Sequence, residues 1–563
     1  MPCLKDHRTV TRARDRACQV SGIRHLNEDG SAVVAWTYLD VIRRSIISKG
    51  APWIKARGCK VEALVAGDAV QCGEKWTHLT ARVMGVFRDA NSPLALWGMV
   101  HYLGGDDWEP LHEQCQGIFD AIRSLQQAGN KITITFPATA TTAAEDVEVS
   151  VRTLLCADGA MLDAEEGGSG FTGDYPCVIC QVAKRDLLDE KKVNTKYTTA
   201  ILNNLSHLPA CWPCSDEDFV PFSYSKCKKK FNGIKDCTDE PELDKVKQRK
   251  YKRQHNGQIH HHYKLFPSLM EDTILCTLHV CLAYVRHGWT HAIAQYISGP
   301  HGDDIADFIN NLLHEKCGVE INTHKVNGNL KQDAARMPRL PGAAARKVTE
   351  HFDLILKAVL YWDDEYLDCQ ERKQHYERSV ECNDALINLW NTLTLKMEPQ
   401  GPGLPPSLET REKKAKLIGI QAKLYRMKFK KAYNATAGKP YTHMSTHLEE
   451  MQMKLEWDLV DYSGQAQEHY GKLCKSIVRH QCNHQLAKTK KDGTKSASKV
   501  MQVAKNMMHR QHLMSIEPVP ATDYSARKVQ KISEGKEAYQ MMKAEAFPES
   551  KVPLSKRVTE TPT

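Results

Sequence analysis

Between residues 60 and 158 the apolar positions favour strands. The segments are KVEALVAG (60–67), HLTARVMGVF (78–87), LALWGMVHYL (94–103), KITITF (131–136) and DVEVSVRTLLCAD (146–158), the last alternating and then fully apolar. EPLHEQCQGIFDAIRSLQQAG interrupts them with the 3.6-residue period of an amphipathic helix that ends at Gly129. Ahead of the strands, VVAWTYLDVIRRSIISKG has helical spacing. From 268 to about 435 the readable elements are helical: MEDTILCTLHVCLAYVRHGW, DDIADFINNLLHEK, VTEHFDLILKAVLYW and NDALINLWNTLTLKM. EPQGPGLPPSLE (398–409) reads as a linker, 411–432 as a strongly basic helix, and 441 to about 513 as one or two long helices. Beyond 516 the chain is polar without a period, which predicts disorder. Strands, a helix and more strands within about 100 residues predict an α/β fold with a mixed sheet under helical cover.

Composition narrows this picture only slightly. The 563 residues are 41% hydrophobic, enough for a substantial core, and carry a net charge of +9. Nothing at the N-terminus resembles a secretory h-region, and no apolar run approaches the ~20 residues that a bilayer requires, so no membrane partner is expected. With no sign of export, the 19 cysteines and 25 histidines suit free thiols or zinc ligands better than disulfides.

Three acidic positions stand out. Asp68 ends VEALVAGD, Asp158 ends VRTLLCAD, and Glu468 lies in YSGQAQEHYGK. Strand-end carboxylates and one from a later helix can meet at one edge of a sheet, where they repel one another unless cations neutralise them. Mg²⁺ or Mn²⁺ prefers such oxygen ligands, and a pair of ions about 3.5–4 Å apart can cut or join phosphodiesters. An aspartate at a strand end also commonly caps a turn. Asp163, Glu165 and Glu166 form either a solvated loop or a rival ligand set.

A second constellation begins at Cys177 and Cys180, spaced as half of a tetrahedral zinc site. Its other half is either Cys211 and Cys214 in ACWPCS, or His443 and His447, which at i and i+4 share one helix face. The alternatives for these residues are buried or free thiols and surface histidines. Basic runs at 226–230 (with Lys228, Lys229 and Lys230), 245–253 (with Arg249, Lys250, Lys252 and Arg253) and 411–431 suit phosphate contacts with DNA, or else are solvated charged segments. His279, in TLH, reads as a buried structural histidine rather than a catalytic one.

VAGDAVQCGEKW, then LLCADGAML with YPCVIC, then CTLHVCLAYV, then YSGQAQEHYGK occur in this order, and together the chain resembles DDE transposases of the Transib type and the catalytic subunit of the V(D)J recombinase over roughly residues 50–510. The resemblance implies an RNase H-like sheet interrupted by a long, mostly helical, zinc-associated insertion. It makes Asp68, Asp158 and Glu468 the catalytic acids binding Mg²⁺ or Mn²⁺, and Cys177, Cys180, His443 and His447 the ligands of a structural Zn²⁺. It divides the chain into a helical lead-in (1–59), a first part of the core (60–184), a basic and helical insertion (185–435), C-terminal helices completing the core (436–515) and a tail (516–563). DNA as substrate, a homodimer, an accessory subunit and a nuclear location follow from the resemblance alone. The chain starts about 60 residues before Asp68, so the separate N-terminal DNA-binding region of full-length relatives is not expected in it. The rival expectation is a catalytically inactive, zinc-stabilised DNA-binding or interaction protein derived from such an enzyme; without the resemblance, Cys177, Cys180, Cys211 and Cys214 would form a local zinc module.

Overall fold

KITITF alternates exposed and buried side chains along Lys131–Phe136, the mark of a strand with one wet face. KVEALVAG does not alternate; Val61 through Gly67 are all buried, as in a central strand covered on both faces. The structure is a computed structural model that describes residues 23–72, 74–87, 95–138, 143–158, 161–162, 177, 265–266, 272–297, 301–320, 322–326, 329–337, 340–361, 369–433, 440–481 and 498–516. Two units divide the chain, Met1–His509 and Arg510–Thr563. The first holds the sheet and nearly all of the helices; of the second, only residues 510–516 are described, as the end of a helix.

The fold is mixed α/β. Strands β1 (Arg24–His25), β2 (Ala32–Val34), β3 (Lys60–Cys72), β4 (Glu74–Val83), β5 (Trp97–Leu103), β6 (Lys131–Phe136) and β7 (Glu145–Ala157) form a curled mixed sheet in the order β1-β2-β5-β4-β3-β7-β6. An eighth strand, β8 (Thr273–Leu275), pairs with the far end of β7. The β3–β7 and β7–β8 pairings are parallel and the others antiparallel. Helices α1 (Tyr38–Ile47), α2 (Ala51–Ala56) and α3 (Trp108–Gln127) accompany this sheet. Thr37 caps α1 by accepting the Asp40 N–H at 3.2 Å, and Gly129 leaves α3 at φ +72°, where glycine carries no Cβ penalty.

The C-terminal region is helical: α4 (Thr277–Ile297), α5 (Gly302–Cys317), α6 (Gly342–Glu350), α7 (Phe352–Leu360), α8 (Gln370–Thr394), α9 (Leu408–Tyr433), α10 (Pro440–Met444), α11 (Leu448–Lys454), α12 (Gln465–Gln481) and α13 (Lys499–Ile516). Several details differ from the sequence reading. The segment ahead of α4 is not helical throughout: Thr273, Ile274 and Leu275 are all buried and extend the sheet as β8. A hairpin, β9 (Asn322–Val326) and β10 (Asn329–Arg336), lies among the helices. Between 441 and 513 two long helices, α12 and α13, are present as expected, but the stretch before them is broken into short pieces, with 3₁₀ turns at Ser445–His447 and Leu459–Tyr462. VVAW is not the start of a helix, because Ala32–Val34 pair with β5 before α1 begins. Strand β3 runs on past Asp68 to Cys72, because β4 continues to pair with it there.

A buried polar network ties the returning C-terminal segment to the sheet. Glu62 and Arg152 are neighbours in the β3–β7 register and pair at 3.2 Å; Arg152 also pairs with Asp272 at 2.8 Å and donates to the Lys454 carbonyl at 2.7 Å. The Tyr462 hydroxyl donates to Glu62, and Arg82 donates to the Asp461 carbonyl. Burial, then the nearby Glu456, push Glu62 up to about 7, with Arg152 opposing.

Helix α12 packs against β3. Gly471 allows the close approach: a Cβ there would lie 2.6 Å from Val70 Cγ1, far inside van der Waals contact. Gly471→Ala is therefore expected to lift α12 from the sheet and cost about 1–3 kcal/mol in urea unfolding. Val70→Ala added to Gly471→Ala should recover part of that loss as a favourable coupling; strict additivity would show that the contact is not the cause.

Candidate functional site

The parallel β3–β7 register ends on the pair Gly67↔Ala157. The next residues along each strand are Asp68 and Asp158, so the two carboxylates stand on neighbouring strands, whose usual spacing is ~4.8 Å. Beyond this point β3 stays with β4, pairing Asp68 with His78, while β7 stops. Asp158 also does what a strand-end aspartate ordinarily does: its Oδ1 accepts the Met161 N–H at 2.9 Å, and its carbonyl accepts the Leu162 N–H at 2.9 Å.

Helix α12 brings the third acid. Gln467, Tyr470 and Gly471 form its inward face. The Gln467 side-chain oxygen accepts from Thr80 Oγ1 at 2.7 Å, and Tyr470 stacks on His78 with centroids 5.2 Å apart while its hydroxyl meets His101 Nε2 at 3.2 Å. A Cβ on Gly471 would sit 3.8 Å from Asp68 Oδ2, so the turn holding Glu468 lies over Asp68. Glu468 and Asp158 both act electrostatically on Asp68. Burial, then the Asp158 charge, push Asp68 up from 3.8 to about 7; His279 opposes, and Glu468 and Asp106 add to the rise.

His279, read from sequence as a structural histidine, stands inside this group. Its Nδ1 meets Cys276 Sγ at 2.9 Å, and its Nε2 lies 3.8 Å from Glu468 Oε1. Burial lowers the imidazole pKa, but Cys276, then Asp158 and Glu468, outweigh it and raise His279 to about 10. Cys276 moves the other way: burial raises its thiol, yet the Cys156 thiol and His279 hold it well below the ordinary range. The sequence signal that could have found this pair is Cys-x-x-His at the junction of a short apolar run and a helix.

Beside Glu468 opens a cavity of about 360 Å³ lined by Arg346, Trp390, Ser463, His469 and Lys472 among others. Arg346 lies over the Trp390 ring, 5.5 Å from its centroid. An arginine, a lysine and an aromatic face beside a carboxylate suit an anion with a flat group attached.

The second constellation is tighter. Cys177 Sγ lies 3.6 Å from His447 Nε2, which lies 3.3 Å from His443 Nε2, and all three residues are buried. A tetrahedral ion about 2.0–2.1 Å from nitrogen and 2.3 Å from sulfur sets its ligands about 3.3 Å (N···N) and 3.6 Å (N···S) apart, so the three could hold a metal ion. The histidines do not share one α-helix face as expected; His443 is on α10 and His447 ends the following 3₁₀ turn, which still brings both Nε2 atoms to one point. Among the described residues, Asp68, Asp158 and Glu468 do not close to the 4.8 Å mutual spacing that Cys177, His443 and His447 meet.

Cys180, Cys211 and Cys214 lie outside the described residues, as do Asp163, Glu165 and Glu166, the basic residues Lys228, Lys229, Lys230, Arg249, Lys250, Lys252 and Arg253, and most of the tail. The basic run 411–431 is described, and much of its charge is used internally. Lys414 is buried on Asp458, Lys428 pairs with Glu381 at 2.7 Å, and Arg411 donates to the Leu455 carbonyl at 2.9 Å. Among the described residues no helix is long and apolar enough to cross a membrane. No protein-family model and no curated protein matches the chain.

Because the Asp68 pKa is higher folded than unfolded, its contribution to stability is fully present below about pH 4 and is lost as pH rises through about 7. Asp68→Asn removes that charge. In buffer free of divalent cations the variant is expected to be more stable than the parent by about 1–3 kcal/mol at pH 8, allowing for partial solvent access, and equal to it near pH 4. Paired denaturation curves at the two pH values measure the difference; a constant offset would reject the charge-based cause.

Proposed function

We propose that this chain is a metal-dependent DNA-cleaving and strand-transferring enzyme of the DDE type, built on an RNase H-like sheet and similar to Transib-type transposases and the V(D)J recombinase catalytic subunit. The observation that carries the reading is the β3–β7 register that sets Asp68 beside Asp158, with α12 bringing Glu468 over them. Three mutually repelling acids at a sheet edge, one pushed up to about 7, are a site short of positive charge, and Mg²⁺ or Mn²⁺ supplies it. When bound, two such ions would activate water or a 3′-hydroxyl for attack on phosphorus and offset the charge on the oxygen that departs. A pair of ions spans more space than one, so three carboxylates holding a pair need not converge on a single point.

The chain's own residues supply placement. Asp68 is fixed by pairing with β4, Asp158 by following the last β3–β7 pair and by its turn to Met161 and Leu162, and Glu468 by the packing of Gln467, Tyr470 and Gly471. The neighbouring cavity, with Arg346 and Lys472 in its wall, suits a DNA phosphate next to the reacting one. On this reading zinc is the ion at Cys177, His443 and His447, Cys180 is its fourth ligand, and the ion joins the start of the insertion to the segment that leads into α12. A homodimer, an accessory subunit and a nuclear location rest on the resemblance alone.

Purified protein with Mn²⁺ is expected to nick linear DNA, and Asp158→Ala and Glu468→Gln should fall to the buffer blank. Equal cleavage by Asp158→Ala would reject the assigned site. Metal analysis tests the second centre: His443→Ala should lose zinc and Cys211→Ala keep it. The reverse would move the ion to the local four-cysteine arrangement.

A further inference from the structure

Cys276 occupies the junction between β8 and α4, and its sulfur gathers two groups that bear on Glu468. His279 Nδ1 is 2.9 Å from it, and the Gly464 N–H donates to it at 3.0 Å. Gly464 opens the turn into α12, and its carbonyl accepts the Glu468 N–H at 2.8 Å. There is no room for a side chain in that turn, since a Cβ on Gly464 would lie 2.8 Å from the sulfur. The imidazole is thus held at one nitrogen while its other nitrogen faces Glu468 Oε1 at 3.8 Å.

We infer that Cys276 and His279 form a positioning pair for Glu468, in which the sulfur fixes the ring so that its Nε2–H is presented to the carboxylate. This rests on the proposed reading of Glu468 as a metal-binding acid. It does not depend on where the shared proton sits. If Cys276 keeps its proton, S–H donates to Nδ1 and the ring is the Nε2–H tautomer; if the proton has moved to the ring, both nitrogens carry hydrogen. The remaining tautomer would aim a lone pair at a carboxylate. In both favoured arrangements the same hydrogen steers Glu468, as outer-shell partners of ligating carboxylates ordinarily do.

The test is Mn²⁺ affinity of the full chain, read by electron paramagnetic resonance of the free ion, with Asp158→Ala as reference. His279→Asn retains a group at the Nδ1 position but cannot reach Glu468; His279→Gln retains an N–H near the Nε2 position. Mn²⁺ binding should weaken about 10–100-fold in His279→Asn and stay within about threefold of the parent in His279→Gln. Cys276→Ala should weaken it as well, with Cys276→Ser restoring most of the loss. A merely structural histidine would not distinguish Gln from Asn in this order. If Asp158→Ala loses the ion while His279→Asn binds as the parent does, or if His279→Gln is no better than His279→Asn, the positioning pair is overturned and the metal site stands. If Asp158→Ala binds Mn²⁺ as tightly as the parent, the metal-site reading fails and the pair fails with it.

Discussion

Two parallel strands part company immediately after Gly67 and Ala157, and each carries an aspartate at the point of parting. That single register governs the site. Inside the pairing, backbone hydrogen bonds fix the strands a few ångströms apart; beyond it, β3 is held by β4 alone and β7 ends. The two carboxylates are therefore held together by the backbone and driven apart by their charge. A slip of either strand by one residue would turn its aspartate to the other face of the sheet, so burial of Val61 to Gly67 and of Thr153 to Ala157 specifies the placement of the acids as firmly as it specifies the core.

The chain must then return over a long distance to complete the corner. Glu62, Arg152 and Tyr462 lock the segment before α12 to the sheet, and the buried Lys414–Asp458 pair fixes the 3₁₀ turn region against α9. Cys177 meets His443 and His447 across 270 residues of sequence in the Cys177–His447 contact. Each contact closes a long loop, which costs entropy that grows only slowly with length. Several modest ties near one helix consequently suffice to place Glu468, provided that they hold α12 at one angle. The close approach at Gly471 and the stack of His78, His101 and Tyr470 supply that angle.

Long, strongly periodic elements were legible in the sequence. KITITF and DVEVSVRTLLCAD read as strands because alternation and then a continuous apolar run each leave a pattern, and α3 read as a helix because its apolar face repeats along its length. Thr273–Leu275 was illegible, since three residues carry no period and their strand character comes from lying beside β7. The breaks between 441 and 465 were hidden for a related reason: 3₁₀ turns preserve much of a helical pattern, and only packing decides where they fall. The three acids could be named from strand ends and motif order, whereas the only signal of the Cys276–His279 pair was its Cys-x-x-His spacing, which does not say where the ring faces. A histidine on an apolar helix looks the same whether it faces the core or a cluster of carboxylates. Charge was misleading in detail, because α9 spends part of its basic surplus on Asp458 and Glu381.

Strand β3 carries two buried acids with different partners, and on the proposed reading only the second serves chemistry. Glu62 and Asp68 lie on the same strand, and both are pushed up to about 7, chiefly by burial. Glu62 is answered by an arginine at 3.2 Å and a tyrosine hydroxyl, the arrangement that makes a buried carboxylate a fixture. Asp68 faces Asp158 and Glu468, with His279 as the cation acting on it, while Lys75 is engaged with Asp106 at 2.6 Å. The layer beneath supplies no further charge, because burial holds His78 and His101 down at about 3 and 4 and hence neutral near pH 7. On the proposed reading a divalent cation completes this corner, whereas Arg152 and the Tyr462 hydroxyl serve Glu62 at the other end of the strand.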